Sequence, residues 1–280
     1  MTELRVFPDV TSLGEAAARE IIEGIEDARA QGRAYLLGCP GGRSPRSTYA
    51  ALADLVRERS VDLSHVVIVM MDDYVVKIGD EFHRVSPDMH CSVERFARQE
   101  ILAPLNAAAG PGREIPIDSM WIPEPQDPGA YDARLREAGG LDLFILASGD
   151  SDGHVAFNPP GTPAESRTRV IELAESTRRD NLGTFPDFNG LEDVPHYGIS
   201  VGIATIAELS RRAILVAPGE SKREAVRRIA SSREYDPTWP ATVVLLCTDS
   251  ALYADELSTH PAEEALPPSW ASTERNEVHT

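Results

Sequence analysis

Seven short apolar runs recur along this 280-residue chain, and amphipathic segments fill the gaps between them. The runs are Ala34–Cys39, Val66–Met71, Ser119–Ile122, Leu141–Ala147, Tyr197–Val201, Ala213–Ala217 and Ala241–Cys247. Each reads as a strand. The segments between them carry helix-start signals. Ser12 with Glu15 reads as a capping box that opens a helix running to about Ala30. Ser44-Pro45, Ser86-Pro87 and Asp127-Pro128 each set a capping residue before a proline at the first helical position. Strand and helix in alternation specify a sheet of parallel strands with helices on both faces. The expected fold is therefore α/β, a three-layer, doubly wound, mostly parallel sheet in a single domain spanning residues 1–257. Residues 258–280 are polar and proline-rich and read as a surface extension.

Polar chemistry collects at the ends of the apolar runs. Cys39 is followed by Pro40-Gly41-Gly42-Arg43-Ser44, and Met71 by Asp72-Asp73. Ala147 leads into a turn with Asp150, Asp152 and His154, and Ala217 into Pro-Gly-Glu-Ser221-Lys222. All lie beyond the carboxyl ends of expected parallel strands, where open α/β sheets place their ligands. A carboxylate two residues from a histidine can fix the imidazole tautomer and raise its basicity, which points to an enzyme. Glycines joining a strand to a helix let the backbone approach an anion at the helix N-terminus. That loop also fits an ordinary strand–helix turn, and it is neither GxxxxGK[ST] nor GxGxxG, so nucleotide binding has no support. Asp72 and Asp73 fit a metal site, a general base or a helix cap alike.

Two tempting motifs fail on their surroundings. Residues 149–153 match GxSxG, but that nucleophile elbow needs a helix directly after the serine, and GHVAFNPPGTP follows instead. A calcium loop starting at Asp150 would have Gly161 where the bidentate glutamate belongs. His65, His83, His90, His196, His260 and His279 form no ligand pattern. The formal charge of −18 argues against nucleic acid and anionic membrane as partners but leaves room for an anionic metabolite held by a few basic groups. Cys39, Cys91 and Cys247 are far apart and form no CxxC pair. No apolar stretch approaches the ~20 residues of a membrane span, and the N-terminus lacks an apolar signal region. A soluble, cytoplasmic protein is expected.

Taken in order, these pieces resemble the glucosamine-6-phosphate deaminase/6-phosphogluconolactonase superfamily. The likeness covers roughly Ala34 to Cys247 and favours the deaminase branch. MMDDYVV is similar to that branch's MDEYV segment, and DGHVAFN with SRTR downstream and VPHYGISVGIATI are similar to others. The resemblance implies a Rossmann-like fold and a small phosphorylated sugar as substrate, without metal or organic cofactor. It implies that Asp72 shuttles a proton between C2 and C1 of the open-chain sugar. It implies that His154, oriented by Asp152, assists ring opening. Gly41, Gly42, Ser44 and Lys222 would hold the phosphate. A homo-oligomer is compatible with all of this.

The chain departs from the deaminase pattern in three places. Pro159 stands where deaminases carry a glutamate completing a carboxylate–His–carboxylate relay. Leu182, Gly183 and Thr184 occupy the neighbourhood of a phosphate-binding arginine. Arg43 replaces a glycine, and we expect it to take over the missing charge. The Gly-Gly register and PGTPA at 160–164 are similar to the lactonase branch. An aldose–ketose isomerase acting on a phosphorylated amino sugar, a lactone hydrolase and a non-catalytic sugar-phosphate sensor therefore stay open. Without a second carboxylate, apart from a folded-back Glu165, glucosamine 6-phosphate is expected to turn over slowly.

Overall fold

The computed structural model describes residues 2–185 and 187–260, so most of the expected 258–280 extension lies outside the described residues. The strands are β1 (Glu3–Phe7), β2 (Tyr35–Cys39), β3 (Val66–Met70), β4 (Asp72–Ile78), β5 (Glu81–Arg84), β6 (Met120–Trp121), β7 (Leu143–Leu146), β8 (Arg169–Glu172), β9 (Tyr197–Ser200), β10 (Ala213–Ala217) and β11 (Ser250–Asp255). The α-helices are α1 (Val10–Ala30), α2 (Arg46–Arg59), α3 (Val93–Phe96), α4 (Ala103–Ala109), α5 (Pro128–Glu137), α6 (Glu175–Thr184), α7 (Ile203–Leu209), α8 (Arg223–Ser231) and α9 (Glu256–Thr259).

A seven-stranded sheet runs in the order β1-β11-β10-β7-β2-β3-β6, and its neighbours pair in parallel. Its central strands are buried on both faces, which explains why they read as unbroken apolar runs. Alternate residues still divide between the faces. Leu37, Ile68, Ile145 and Ile214 pack under α1 and α2 with Leu13, Ile21 and Leu52. Leu36, Val69, Phe144 and Leu215 pack on the other face with Leu135, Ile206 and Ile229 from α5, α7 and α8. Burying each such side chain contributes roughly 1.5–3 kcal/mol before conformational entropy is charged against it. The strand order reverses between β2 and β7, so the crevice beyond their carboxyl ends is the topological switch point.

The doubly wound, mostly parallel α/β fold is the one expected, with corrections in detail. Tyr197–Val201 does form a strand, but in a second sheet, ordered β5-β4-β9-β8, whose pairings are antiparallel. Asp72 and Asp73 begin a strand of this sheet, so neither caps a following helix. Residues 240–245 form a 3-10 helix where a strand was expected, because a short buried apolar run does not reveal its own period. The strand belonging there is β11. β1 escaped notice because it is an exposed edge strand with Glu3 and Arg5 among its apolar residues.

Three helix starts also differ. Asp9, not Ser12, caps α1, accepting the Ser12 amide at 2.7 Å. Pro45 takes the capping position of α2 itself, so the helix begins at Arg46. Ser86-Pro87 lies in a turn, and the next helix waits for Ser92, which accepts the Arg95 amide. Asp127 caps α5 as expected. Cys39, Cys91 and Cys247 are free and buried. Among the described residues no helix is long and apolar enough to cross a membrane.

Candidate active site

Four connections meet at the switch point. The loop after β2 carries Gly41, Gly42, Arg43 and Ser44 into the N-terminus of α2. Gly42 has φ +89, a conformation that glycine adopts at little cost. The Tyr49 hydroxyl, one turn into α2, donates to the Pro40 carbonyl at 2.8 Å and holds the loop from beneath. The chain after β3 brings Asp72, that after β7 brings His154, and that after β10 brings Lys222. Together with Tyr74, Asp180, Asn181 and Phe185 these residues line one cavity of about 120 Å3. Of the residues to which the resemblance gives a role, Asp152 alone is not in the wall. It stands behind His154.

The two adjacent carboxylates have different surroundings. Asp73 is fully buried and accepts the amides of Tyr74 at 2.8 Å and Val93 at 3.0 Å, with the Arg84 guanidinium 3.5 Å away. It ties β4 to α3. Asp72 is 6% exposed, and its carboxylate accepts no hydrogen bond among the described residues. Burial, and then the charge on Asp73, push its carboxyl up to about 8. A carboxyl so placed takes up a proton readily and gives it back near neutral pH, as a general base that must also release its proton requires.

His154 is held by its neighbours. Its Nδ1 lies 2.7 Å from Asp152 Oδ1, and the same oxygen accepts the His154 amide at 3.0 Å. The Ser176 hydroxyl donates to the other Asp152 oxygen at 2.5 Å. Burial raises the Asp152 carboxyl, but these hydrogen bonds and the imidazole outweigh it and hold the group well below the usual carboxylate range. An ionised Asp152 can only accept, so Nδ1 carries hydrogen and Nε2 is left to exchange a proton. The turn closes tightly. A Cβ on Gly149 would sit 2.2 Å from His154 Nδ1, so only glycine fits there. Ala156 follows at φ 50, a strained conformation for a residue with a Cβ. Asn158 anchors the far side of the turn, donating to the Val201 carbonyl at 2.7 Å.

Lys222 is 7% exposed and donates to the Ser148 carbonyl at 2.5 Å. It is also paired with Asp150, whose second oxygen lies 3.7 Å from the Arg43 guanidinium. Two residues in this region went unread in the sequence. In sequence Asp150 reads as a turn residue or the first position of a failed calcium loop, and its pairing with Lys222 depends on folding. Asp180, on the polar helix α6, carried no signal. The ligand atoms of Asp152, His154 and Asp180 lie within 4.8 Å of one another, and the Ser151 hydroxyl donates to Asp180 at 3.1 Å. This trio is close enough for a metal ion, but both Asp152 oxygens already accept hydrogen bonds, which suits a proton relay better. Pro159 is not in the cavity wall, and Glu165 lies toward Tyr235.

A cavity with an unpartnered buried carboxylate, a carboxylate-backed imidazole, a buried lysine and an exposed arginine is equipped to move protons on an anionic substrate, which defines an α/β acid–base enzyme. Comparison with known proteins narrows this. Residues 8–253 match the family of glucosamine-6-phosphate isomerases/6-phosphogluconolactonase. A glucosamine-6-phosphate deaminase from Streptomyces coelicolor is 34% identical over 271 residues, covering 94% of this chain and 90% of its own. One from Shouchella clausii is 31% identical over 250 residues, covering 87% and 91%. The structure of a monomeric glucosamine-6-phosphate deaminase superposes with a TM-score of 0.77 at 25% identity, over 92% of this chain and 98% of that one. A 6-phosphogluconolactonase from Shewanella baltica shares the fold at a TM-score of 0.62 and 18% identity, over 91% and 98%. The chain belongs to the glucosamine-6-phosphate isomerase/6-phosphogluconolactonase family, on its deaminase branch, and is an enzyme of that sugar-phosphate isomerase/deaminase group.

Proposed function

We propose that this enzyme isomerises a phosphorylated amino sugar of the glucosamine 6-phosphate type and releases its nitrogen as ammonia, using a relay altered at Pro159. The observation that carries this reading is the Asp72 carboxylate, buried, unpaired and in the same cavity wall as His154 and Lys222. Lactone hydrolysis needs an activated water but no carbon-bound proton moved, and gives such a carboxylate no task.

The steps follow from the residues present. Lys222, Arg43 and the loop amides of Gly41 to Ser44 hold the phosphate. His154 delivers a proton to the ring oxygen as the hydroxyl at C1 loses one, and the ring opens to the aldehyde. Asp72 takes the proton from C2, the C2 electrons form the enol's carbon–carbon double bond, and the aldehyde oxygen is protonated. Asp72 then returns its proton to C1 as the nitrogen lone pair closes on C2, leaving a C2 iminium. Water adds to C2, its proton passes to the nitrogen, and the nitrogen departs as ammonium to leave the ketone. The pKa of Asp72 suits both halves of the shuttle, since a much stronger acid would not hold the proton and a much weaker one would not return it.

The altered relay has a substitute in space. Asp180, on α6, has a carboxylate oxygen within 4.8 Å of His154 and makes no hydrogen bond to it, and the proposal takes it as the relay's second carboxylate, since none follows Asn158. On this reading glucosamine 6-phosphate is turned over, in contrast to the slow turnover that Pro159 alone suggests. The test is ammonia release from a panel of hexosamine 6-phosphates, run beside a 6-phosphogluconolactone hydrolysis assay. Ammonia release that Asp72→Asn abolishes supports the proposal. Lactone hydrolysis without ammonia release, or binding without either reaction, overturns it.

A further inference from the structure

The anion cradle contains an anion of its own. Asp150, at the tip of the turn after β7, pairs through one oxygen with Lys222 and lies 3.7 Å through the other from Arg43. Those two cations come from separate connections, the loops after β10 and after β2. The Asp150 side chain is about one quarter exposed, whereas Lys222 is buried. A buried lysine requires an opposite charge or hydrogen-bond acceptors, and Lys222 draws on Asp150 and the Ser148 carbonyl for these. The Arg43–Asp150 contact is solvent-exposed and contributes little by itself.

We infer that Asp150 is a built-in competitor for the anion site, a specificity-determining carboxylate that an incoming phosphate must displace from Lys222 and Arg43. The inference rests on the reading of this cavity as a sugar-phosphate site. With Asp150 in place the two cations and one carboxylate leave a net charge of +1, which a phosphate dianion overfills. With Asp150 turned to solvent, the charge of +2 matches the dianion. Asp150 is on a turn and already partly exposed, so it has somewhere to go. The exchange weakens binding of any anion that does not make enough other contacts to drive Asp150 out. Inorganic phosphate is therefore disfavoured relative to a sugar phosphate, which also contacts the rest of the cavity.

The test is calorimetric titration of inorganic phosphate at pH 8 and fixed ionic strength into wild type, Asp150→Asn, Asp150→Ser and Lys222→Met. Removing one unit charge beside the bound anion is expected to tighten phosphate about tenfold in both Asp150 variants, equivalent to about 1.4 kcal/mol. Lys222→Met is expected to weaken it. Unchanged or weaker phosphate binding in both Asp150 variants, with binding still lost in Lys222→Met, overturns the competitor role and leaves the proposed function standing. No phosphate binding in wild type or in either Asp150 variant overturns both. A melting temperature lowered by more than about 10 °C in both Asp150 variants would make Asp150 a structural partner of Lys222, and would also overturn the inference.

Discussion

Replacing Asp72 by asparagine should disable the enzyme and, at alkaline pH, stabilise it. Burial and the neighbouring Asp73 charge raise the Asp72 carboxyl to about 8, against 3.8 for an unperturbed aspartate. The folded protein therefore binds a proton here that the unfolded chain has lost. Because the folded pKa is the higher one, the stability contribution is fully present below about pH 4. It is lost as the pH rises from about 4 to about 8, and above 8 the folded state carries the whole cost. Four pKa units at 1.36 kcal/mol each set an upper limit of about 5 kcal/mol. The cavity lets water reach the carboxylate and lowers that figure, so we expect at least ~2 kcal/mol between the two ends of the window.

Asparagine cannot ionise and escapes this cost. Urea denaturation of wild type and Asp72→Asn at pH 5 and pH 9 measures the double difference, in which titrating groups that do not interact with Asp72 cancel and the coupled pair with Asp73 remains. The variant should gain at least ~2 kcal/mol relative to wild type on going from pH 5 to pH 9, while its kcat falls by about a hundredfold or more. A stability difference that does not change with pH would show that Asp72 ionises as an ordinary surface aspartate does, and the argument for it as the base would fall with it. Near-wild-type turnover in the variant would refute the assignment directly. In wild type, kcat/KM should fall about tenfold per pH unit below pH 8, because the base must be ionised in the free enzyme.

Asp180→Asn should lower kcat/KM on glucosamine 6-phosphate roughly tenfold, since the proposed relay loses its second carboxylate; an unchanged kcat/KM would remove Asp180 from the relay. Arg43→Ala should weaken sugar-phosphate affinity about ten- to a hundredfold, the worth of a charge-assisted contact of ~1.5–3 kcal/mol, and a sugar-phosphate complex with the Arg43 guanidinium turned to solvent would contradict it. Asp132 is a structural control. It is 5% exposed and takes the hydroxyls of Thr168 at 2.5 Å and Thr205 at 3.0 Å, joining α5 to the approach of β8 and to α7. Asp132→Ala should cost about 2–3 kcal/mol in urea denaturation while leaving activity per folded molecule intact.

How much of this was legible in the sequence depends on the distance over which the information is carried. Buried parallel strands announce themselves, because both faces of Leu36–Cys39 and of Val66–Met70 are covered and every position is apolar. Antiparallel β4 does not. It opens with two carboxylates and ends on exposed residues, and nothing in DDYVVKI says that Asp72 pairs with Ser200. Strand ends carry the rest of the legible signal. Gly41, Asp72, His154 and Lys222 were each marked because they follow an apolar run, and the carboxyl ends of neighbouring parallel strands necessarily open on one crevice.

What strand ends cannot carry is the balance of charge inside that crevice. Lys222 alone reads as a phosphate ligand, and Asp150 alone reads as a turn residue. Only the register of β7 beside β10 makes them a pair. Asp180 is hidden in the same way, since a polar helix gives no sign of which carboxylate faces inward. The departures from the family pattern at Pro159 and Arg43 look like losses and gains when read along the chain. On the relay proposed above, the lost carboxylate has its counterpart in Asp180, and Arg43 lies 3.7 Å from Asp150. The cavity carries Arg43 and Lys222 against Asp150 and Asp180, with Asp72 held largely neutral at pH 7 by its raised pKa. A substitution here therefore has to be judged against the carboxylate or cation across the crevice, as Lys222 is against Asp150, instead of its neighbours in sequence.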